Sequence, residues 1–341
     1  LFKTYGFTKD EQKDFSYLAF FFALDTYYSL FMKLLAFQVV GYYTMGAMVG
    51  PPLTDWEKLD SLSLKGKLKQ VEDGGIFRDL GISNFLEGDL LSWYLNDWNA
   101  SIEEAVREMI KRLNGYDPQT MELFPDETRD ILKKIYQFLV PKQIRHDLGE
   151  YYTPDWLAER CLNQVGYGVK EKDLLKKRLL DPGCGSGTFL ILAIKRAKEN
   201  ATLKGIEPAK TLDLITRNIV GFDLNPLAVI SARTNYLLAV SDLLKYKKQD
   251  IIIPVYLCDS INPPQARIAD EMTLFEKKQP YEVKTAVGNF LFSHTIVSKQ
   301  RIQQLANLLE KGVKNSLSSD AFQKEVQKEL ELTEQEMQEA S

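Results

Sequence analysis

A glycine-rich stretch, DPGCGSGTFL at residues 181–190, has the spacing of a ligand-binding turn. The apolar residues before it predict a short strand, and those after it predict a helix. Gly183, Gly185 and Gly187 would let the backbone turn tightly and come close to a ligand at the strand end. The amino terminus of the following helix would then face that ligand.

Asp181 limits which ligand this turn can hold. A carboxylate at the strand tip would repel the pyrophosphate that glycine turns bind in dinucleotide enzymes. A cationic group fits better, because Asp181 can pair with the α-ammonium group of S-adenosyl-L-methionine while backbone amides meet that ligand's carboxylate. The stretch therefore predicts a site for S-adenosyl-L-methionine.

Two later acids also stand at the ends of predicted strands. In GFDLNP, residues 221–226, Asp223 is placed to accept hydrogen bonds from both hydroxyls of a ribose, although it could instead cap the helix that begins near Pro226. In YLCDS, residues 256–260, Asp259 would accept a hydrogen bond from an adenine amine.

The elements around these acids predict the fold class. From about residue 146 strands and helices alternate, which is typical of an α/β protein with a parallel sheet and right-handed crossovers. The preceding residues have mostly helical spacing, and those after 265 become strand-like and then form a charged helical region. We therefore expect an α-helical domain at 1–145, a partial Rossmann-like core at 146–265, and an insertion with a charged helical segment at 266–341.

Composition sets broad limits on function. The net charge of −4 neither favours nor excludes nucleic acid as a partner. Three scattered cysteines and two histidines predict no disulfide framework and no metal site, and they fit a cytoplasmic location. The uncharged stretch at 34–50 is at the lower length limit for a membrane span, and we interpret it as a buried helix, with no membrane partner.

These motifs together resemble the adenine-specific DNA methyltransferases of restriction-modification systems, both the large fused restriction-methylases and the modification subunits. The matching stretches, in order, are EYYTPDWLAE, DPGCGSGTFL, GFDLNPLAV and YLCDS. The helical stretch at 74–95 also looks like the connector that precedes the methylase in the fused enzymes. The resemblance implies an S-adenosyl-L-methionine-dependent methyltransferase fold, and further cofactor contacts at Tyr151, Tyr152, Thr153, Thr188, Phe189 and Asn225. For Thr153 the alternative is a helix cap before Pro154.

NPPQ at residues 262–265 is one residue away from the Asn-Pro-Pro-aromatic catalytic signature of that family. In the family the aromatic residue stacks on a flipped base, and Gln265 has no ring to do so. The signature also belongs at the end of the fourth strand, whereas Asn262 follows Asp259, at the predicted end of the third strand, by three residues. A crossover between parallel strands needs a dozen residues or more. Asn262 is thus a weak catalytic candidate, unless residues 251–261 are themselves strand four.

The sequence therefore predicts a cofactor-binding fragment that lacks the catalytic half and the target-recognition region, and its start at Leu1 agrees with this. The full enzyme would methylate the 6-amino group of adenine in duplex DNA, in restriction-modification or phage defence. Two alternatives remain open. One is a non-catalytic DNA-binding or assembly module on the same fold, and the other is a methyltransferase acting on protein glutamine or on RNA.

Overall fold

The computed structural model describes residues 5–10, 12–13, 15–46, 50–86, 91–115, 153–261, 265–266, 281–285, 288–293, 296–297, 301–334 and 337. The chain divides into two compact units, Leu1–Ser260 and Ile261–Ser341. The domain boundary predicted at residue 145 lies outside the described residues, so the division of the first unit remains a prediction.

The first unit begins with helices. They are α1 (Tyr17–Met45), α2 (Ser61–Glu72), the short α3 (Gly75–Asp79) and α4 (Ala100–Asn114). Short 3₁₀ turns occupy Thr54–Lys58 and Trp93–Leu95. Residues 74–95 are predicted to be helical, but the described residues 80–86 are not helical. Gly74 and Gly81 adopt left-handed φ values of 71° and 74°, which interrupt a helix.

Helix α1 is long and aromatic-rich, and the side chain of Ser16 caps it by accepting a hydrogen bond from the amide of Ala19. Residues 34–43 are all buried, in line with the buried-helix interpretation of that stretch. Lys33 is also buried, and it pairs with the buried carboxylate of Glu72 on α2. The hydroxyl of Tyr94 donates to the same carboxylate at 2.8 Å, so this polar cluster ties three segments together.

A parallel sheet follows in the first unit. Helix α5 (Asp155–Gln164) and a 3₁₀ turn at Leu174–Lys176 lead to strand β1 (Leu179–Asp181). Then come α6 (Thr188–Leu203), α7 (Pro208–Asn218), β2 (Ile219–Asp223), α8 (Pro226–Leu244) and β3 (Val255–Leu257). The strand order is β1-β2-β3. Both pairs are parallel, which is the pairing that the alternating pattern predicts.

The helical segment and the sheet share one hydrophobic core. Helix α8 packs along α1, where the hydroxyl of Ser231 donates to the hydroxyl oxygen of Tyr28 at 3.1 Å. The side chain of Asn84 pairs with the backbone of Ile253 in both directions, at 2.9 and 2.7 Å. The connector thus pairs with the segment that leads into β3.

Helices α1 and α8 are both long and apolar enough to cross a membrane by length and composition alone. Half of the most apolar window of α1 and two-thirds of that of α8 are buried within the protein. A buried core helix has the same composition, so this observation is weak support for a membrane span.

The second unit has its own small sheet. Strands β4 (Gln265–Ala266), β5 (Tyr281–Thr285) and β6 (Gly288–Phe292) pair antiparallel in that order. Helices α9 (Ile302–Lys314) and α10 (Ser319–Glu329) follow, with a core formed by Val326, Leu330 and Leu332. The strand-like region expected after residue 265 thus includes an antiparallel pair, β5 and β6, which is not part of the parallel sheet.

Gly41 offers a test of how closely α1 is packed. A Cβ atom added at Gly41 would lie 2.6 Å from the Cγ atom of Pro52, so Gly41→Ala is expected to lower the free energy of unfolding by about 1–3 kcal/mol. Urea unfolding measures this change. Gly66→Ala in α2 is the matched control, because nothing lies within 4 Å of its added Cβ and the change should stabilise the helix by about 0.5–1 kcal/mol. Equal effects of the two substitutions would contradict the packing found at Gly41.

Candidate cofactor site

The site is built at the carboxyl edge of the parallel sheet, where β1 runs through a tight turn into α6. Gly185 and Gly187 have φ values of +53° and +93°, a region in which other residues are strained. The amide of Cys184 donates to the carbonyl of Phe222 in β2 at 2.8 Å, which anchors the turn to the neighbouring strand. Gly183 does not have a positive φ, and its contribution is space, because nothing lies within 4 Å of an added Cβ.

The turn packs closely against β2 and α8 because two glycines, Gly221 and Gly187, have no side chain. A Cβ at Gly221 in β2 would lie 2.6 Å from the Cδ1 atom of Leu190 and 3.1 Å from the Sγ atom of Cys184. Gly187 packs against Ala232 of α8, where its added Cβ would meet the Cα atom at 3.6 Å. The sequence pattern names Gly187, whereas the packing role of Gly221 depends on strand pairing that the motif does not reveal.

Asp181 carries a buried oxygen that is not satisfied. Its Oδ1 atom accepts a hydrogen bond from the amide of Gly183 at 3.3 Å, while its Oδ2 atom is buried and has no hydrogen-bond partner among the described residues. Burial raises the pKa of the Asp181 carboxyl, and the nearby charge of Asp223 raises it further. An unpaired carboxylate oxygen beside an open glycine turn is suited to a ligand with a positive charge.

Asp223, at the end of β2, holds the glycine turn by hydrogen bonds that the sequence does not predict. Its Oδ2 atom accepts a hydrogen bond from the amide of Gly185 at 2.8 Å, and its Oδ1 atom accepts one from the amide of Asn225 at 2.9 Å. The carboxylate therefore braces the glycine turn and the start of α8 together. A carboxylate oxygen can accept more than one hydrogen bond, so acceptor capacity remains for ligand hydroxyls.

Asn225, and not Asp223, caps helix α8. Its side-chain oxygen accepts from the amide of Leu227 at 2.9 Å, and Pro226 occupies the first helical position. The helix cap that was considered as an alternative role for Asp223 is therefore provided by Asn225. Asp223 does not cap the helix because its carboxylate is hydrogen-bonded to the glycine turn that follows β1.

Asp259 follows β3 by two residues and is exposed. The amide of Cys258 donates to the carbonyl of Asp223 at 2.9 Å, so strand-like pairing continues up to the residue before Asp259. Asp181, Asp223 and Asp259 therefore follow the carboxyl ends of three neighbouring parallel strands, which is the edge where ligands bind in open α/β sheets.

The structure describes some of the remaining predicted cofactor contacts and not others. Tyr151 and Tyr152 lie outside the described residues. Thr153 is half-buried, and it does not cap α5, because the helix begins at Asp155 with Pro154 as its N-cap and no side-chain hydrogen bond. Thr188 and Phe189 are the first residues of α6, and the ring of Phe189 packs against the hydrophobic core.

Asn262, Pro263 and Pro264 lie outside the described residues, but the strand before them is informative. The structure describes every residue between α8 and β3. The β pairing of this segment is limited to an isolated bridge at Ile251, so it contains no further strand. Residues 255–257 are thus the third parallel strand, as predicted, and the alternative of a fourth strand is wrong. Gln265 then begins the antiparallel sheet.

One residue that touches the turn was missed by the sequence motifs. Asn235 of α8 is buried, and its Nδ2 atom donates to the carbonyl of Ser186 at 2.9 Å. A polar amide three residues after Ala232, on a helix that follows the GFDLNP stretch, was the available signal, although other polar residues of the same helix are buried too.

Comparison with known proteins identifies the family of this chain. A family profile described as N-6 DNA Methylase matches residues 127–334. The methylase subunit of the type I restriction enzyme EcoEI from Escherichia coli is 30% identical over 136 residues, which are 39% of this chain and 24% of that protein. The MjaVII methylase subunit from Methanocaldococcus jannaschii is 27% identical over 184 residues, which are 54% of this chain and 26% of that protein.

A third relative, from the same archaeon, is named as a type II restriction enzyme and methyltransferase. It is 23% identical over 292 residues, covering 68% of this chain and 23% of that protein. The matches therefore span about a quarter of the length of these curated relatives. Because the family profile covers more than half of the chain, the chain belongs to the N-6 DNA methylase family of restriction-modification systems.

Proposed function

We propose that this chain binds S-adenosyl-L-methionine at the carboxyl edge of β1–β3 and forms the cofactor-binding part of an adenine-specific DNA methyltransferase. The observation that carries the proposal is the buried, unpaired Oδ2 atom of Asp181 beside an open glycine turn. The α-ammonium group would supply the missing partner of that oxygen. When bound, the cofactor supplies an electrophilic methyl group attached to a sulfonium centre.

In this proposal, different residues of the chain bind different parts of the cofactor. Asp181 holds the ammonium group, and the backbone of the turn from Gly183 to Gly187 meets the cofactor's carboxylate. Asp223 accepts from the ribose hydroxyls while it keeps the turn in shape. Asp259 accepts from the adenine amine, and Tyr151, Tyr152 and Thr153 lie against the cofactor. Thr188, Phe189 and Asn225 support these contacts from the starts of α6 and α8.

The proposed fold is a partial Rossmann-like methyltransferase core at 146–265, preceded by an α-helical domain at 1–145 and followed by an inserted segment at 266–341. The three-stranded parallel sheet supports the core assignment. Duplex DNA is the proposed partner of the whole enzyme, and the cytoplasm is its proposed location. We further propose that the catalytic Asn-Pro-Pro-aromatic tetrapeptide and the target-recognition region belong to other parts of that enzyme, because the curated relatives extend far beyond the matched residues.

The proposal is tested by incubating the 341-residue protein with labelled S-adenosyl-L-methionine and mixed-sequence duplex DNA. We expect calorimetry to detect cofactor binding, and we expect no label to reach the DNA. Robust transfer would instead make Asn262 the catalytic residue. If the protein does not bind the cofactor, the chain is a scaffold on the same fold. Label transfer to RNA or to a glutamine-containing peptide would favour the other enzyme class.

A further inference from the structure

We propose that Asn235 is a positioning residue for the glycine-rich turn, and that it acts on the part of the site that binds the amino-acid tail of the cofactor. The inference rests on the proposed function. Asn235 is 8% exposed, and its Nδ2 atom donates to the carbonyl of Ser186 at 2.9 Å. Asn235 lies outside the four matching sequence motifs and is not one of the proposed cofactor contacts.

The bond is made between the two glycines of the turn that have a positive φ. Ser186 stands between Gly185 and Gly187, whose φ values of +53° and +93° are accessible mainly to glycine. Glycine also gives a peptide unit the freedom to reorient, and reorientation would turn backbone amides away from a ligand. A hydrogen bond to the carbonyl of Ser186 opposes that rotation, because the peptide plane must keep its oxygen directed at α8.

Helix α8 is a firm support for this bond. Thr234 and Tyr236, which flank Asn235, are 0% and 1% exposed. The preceding turn of the helix contributes Ala232, on which Gly187 packs. Because the backbone of α8 is held by these buried neighbours, the amide of Asn235 starts from a fixed position. The turn is thus held from two sides, by Asp223 at Gly185 and by Asn235 at Ser186.

These two supports act on different parts of the ligand. In the proposed site the turn meets the amino-acid tail, whereas Asp223 and Asp259 meet the adenosine part. Loss of the Asn235 bond should therefore weaken ligands that carry the tail and leave adenosine binding nearly unchanged. A residue that only stabilised the fold would weaken both ligands alike, or neither.

The experiment compares Asn235→Asp with the parent 341-residue chain, using S-adenosylhomocysteine and adenosine as probes in calorimetry. The carboxylate has the same shape but cannot donate to the carbonyl of Ser186. We expect the dissociation constant of S-adenosylhomocysteine to rise about tenfold, and that of adenosine to change less than about twofold. Asn235→Ala is the second variant, since it removes the donor without introducing a charge.

Asn218→Asp is the matched control. Asn218 is likewise a buried asparagine, 7% exposed, and its Nδ2 atom donates to one distant backbone carbonyl, that of Leu175 in the 3₁₀ turn, at 2.7 Å. It precedes β2, at the end of the strand away from Asp223, so its replacement should leave the ratio of the two affinities unchanged. Equal weakening of both ligands by the Asn235 variants, or unchanged binding, would overturn the inference. A parent chain that binds neither ligand would instead overturn the proposed function itself.

Discussion

Asp181→Asn is expected to weaken the binding of S-adenosyl-L-methionine at least about 100-fold and, at neutral pH, to make the ligand-free protein more stable. Affinity is lost because the side-chain amide of the new asparagine can still accept the hydrogen bond from Gly183 but has no charge to pair with the ammonium group. Losing one partner of a buried, hydrogen-bonded charge pair costs roughly 2–5 kcal/mol of binding free energy. Calorimetry with the parent and the variant measures this difference.

The gain in stability has a separate cause. The unpaired Oδ2 atom of Asp181 is a buried charge that is also repelled by Asp223. A neutral amide is easier to bury, so the free energy of unfolding should rise by about 1 kcal/mol. Equal or lower stability of the variant would show that the Asp181 carboxylate is not strained in the ligand-free protein. Asp259→Asn, which changes an exposed carboxylate at the same edge, is the control and should leave stability within about 0.5 kcal/mol.

The raised pKa of Asp181 also predicts the direction of the pH dependence. Below its ordinary value, about 3.9, the carboxyl is protonated in the folded and the unfolded states alike. Between that value and the raised folded pKa, the folded state holds more protons, so the contribution of Asp181 to stability falls as pH rises. The stability advantage of Asp181→Asn should therefore appear across this window and stay constant above it. Urea unfolding from pH 4 upward, compared between the two proteins, tests this sign.

Cofactor affinity should change with pH in the opposite sense. Only the ionised carboxylate pairs with an ammonium group, so affinity for S-adenosyl-L-methionine is expected to increase as pH rises through the raised pKa of Asp181. Adenosine lacks the ammonium group and should show no such dependence. A parallel rise for both ligands would mean that a group other than Asp181 governs the pH dependence.

The parts of the site that could be predicted from sequence are those set by local structure. Asp181 and Asp223 end strands that are followed directly by a turn and a helix, and each assignment depends on a few neighbouring residues. The glycines of the turn and the proline at the start of α8 are local signals of the same kind. The parallel pairing of the three strands follows from the alternation of strands and helices along the chain.

The parts that could not be predicted depend on contacts between distant residues. Asn235 meets Ser186 across 49 positions, and Asn84 meets Ile253 across 169. Neither contact leaves a periodic trace in the sequence. The connector at 74–95 was mistaken for a helix because its apolar spacing fits one. In the structure, however, Asn84 is committed to pairing beside the sheet. The left-handed glycines Gly74 and Gly81 and the tertiary hydrogen bonds of Asn84 thus interrupt the helix there.

Asp223→Asn is expected to weaken binding of both adenosine and S-adenosyl-L-methionine about 30-fold or more, and to destabilise the fold. The carboxylate uses one oxygen for the amide of Gly185 and the other for that of Asn225. An asparagine has a single acceptor oxygen, so one of these N–H groups would face an N–H₂ group instead. Losing one hydrogen bond to a charged group should lower the free energy of unfolding by roughly 1.5–3 kcal/mol.

The two ligands distinguish this residue from the other supports of the turn. Asp223 stands between the turn and the proposed ribose position, so its loss removes a ligand contact and a brace together. Both ligands should weaken, and S-adenosyl-L-methionine should weaken more than adenosine, because its amino-acid tail also loses the braced turn. Asp181→Asn should instead spare adenosine, which has no ammonium group. Calorimetry with both ligands, combined with urea unfolding of each variant, separates these patterns. If Asp223→Asn bound adenosine as tightly as the parent, Asp223 would be a structural brace alone, and the ribose would have to find its acceptor elsewhere on this edge.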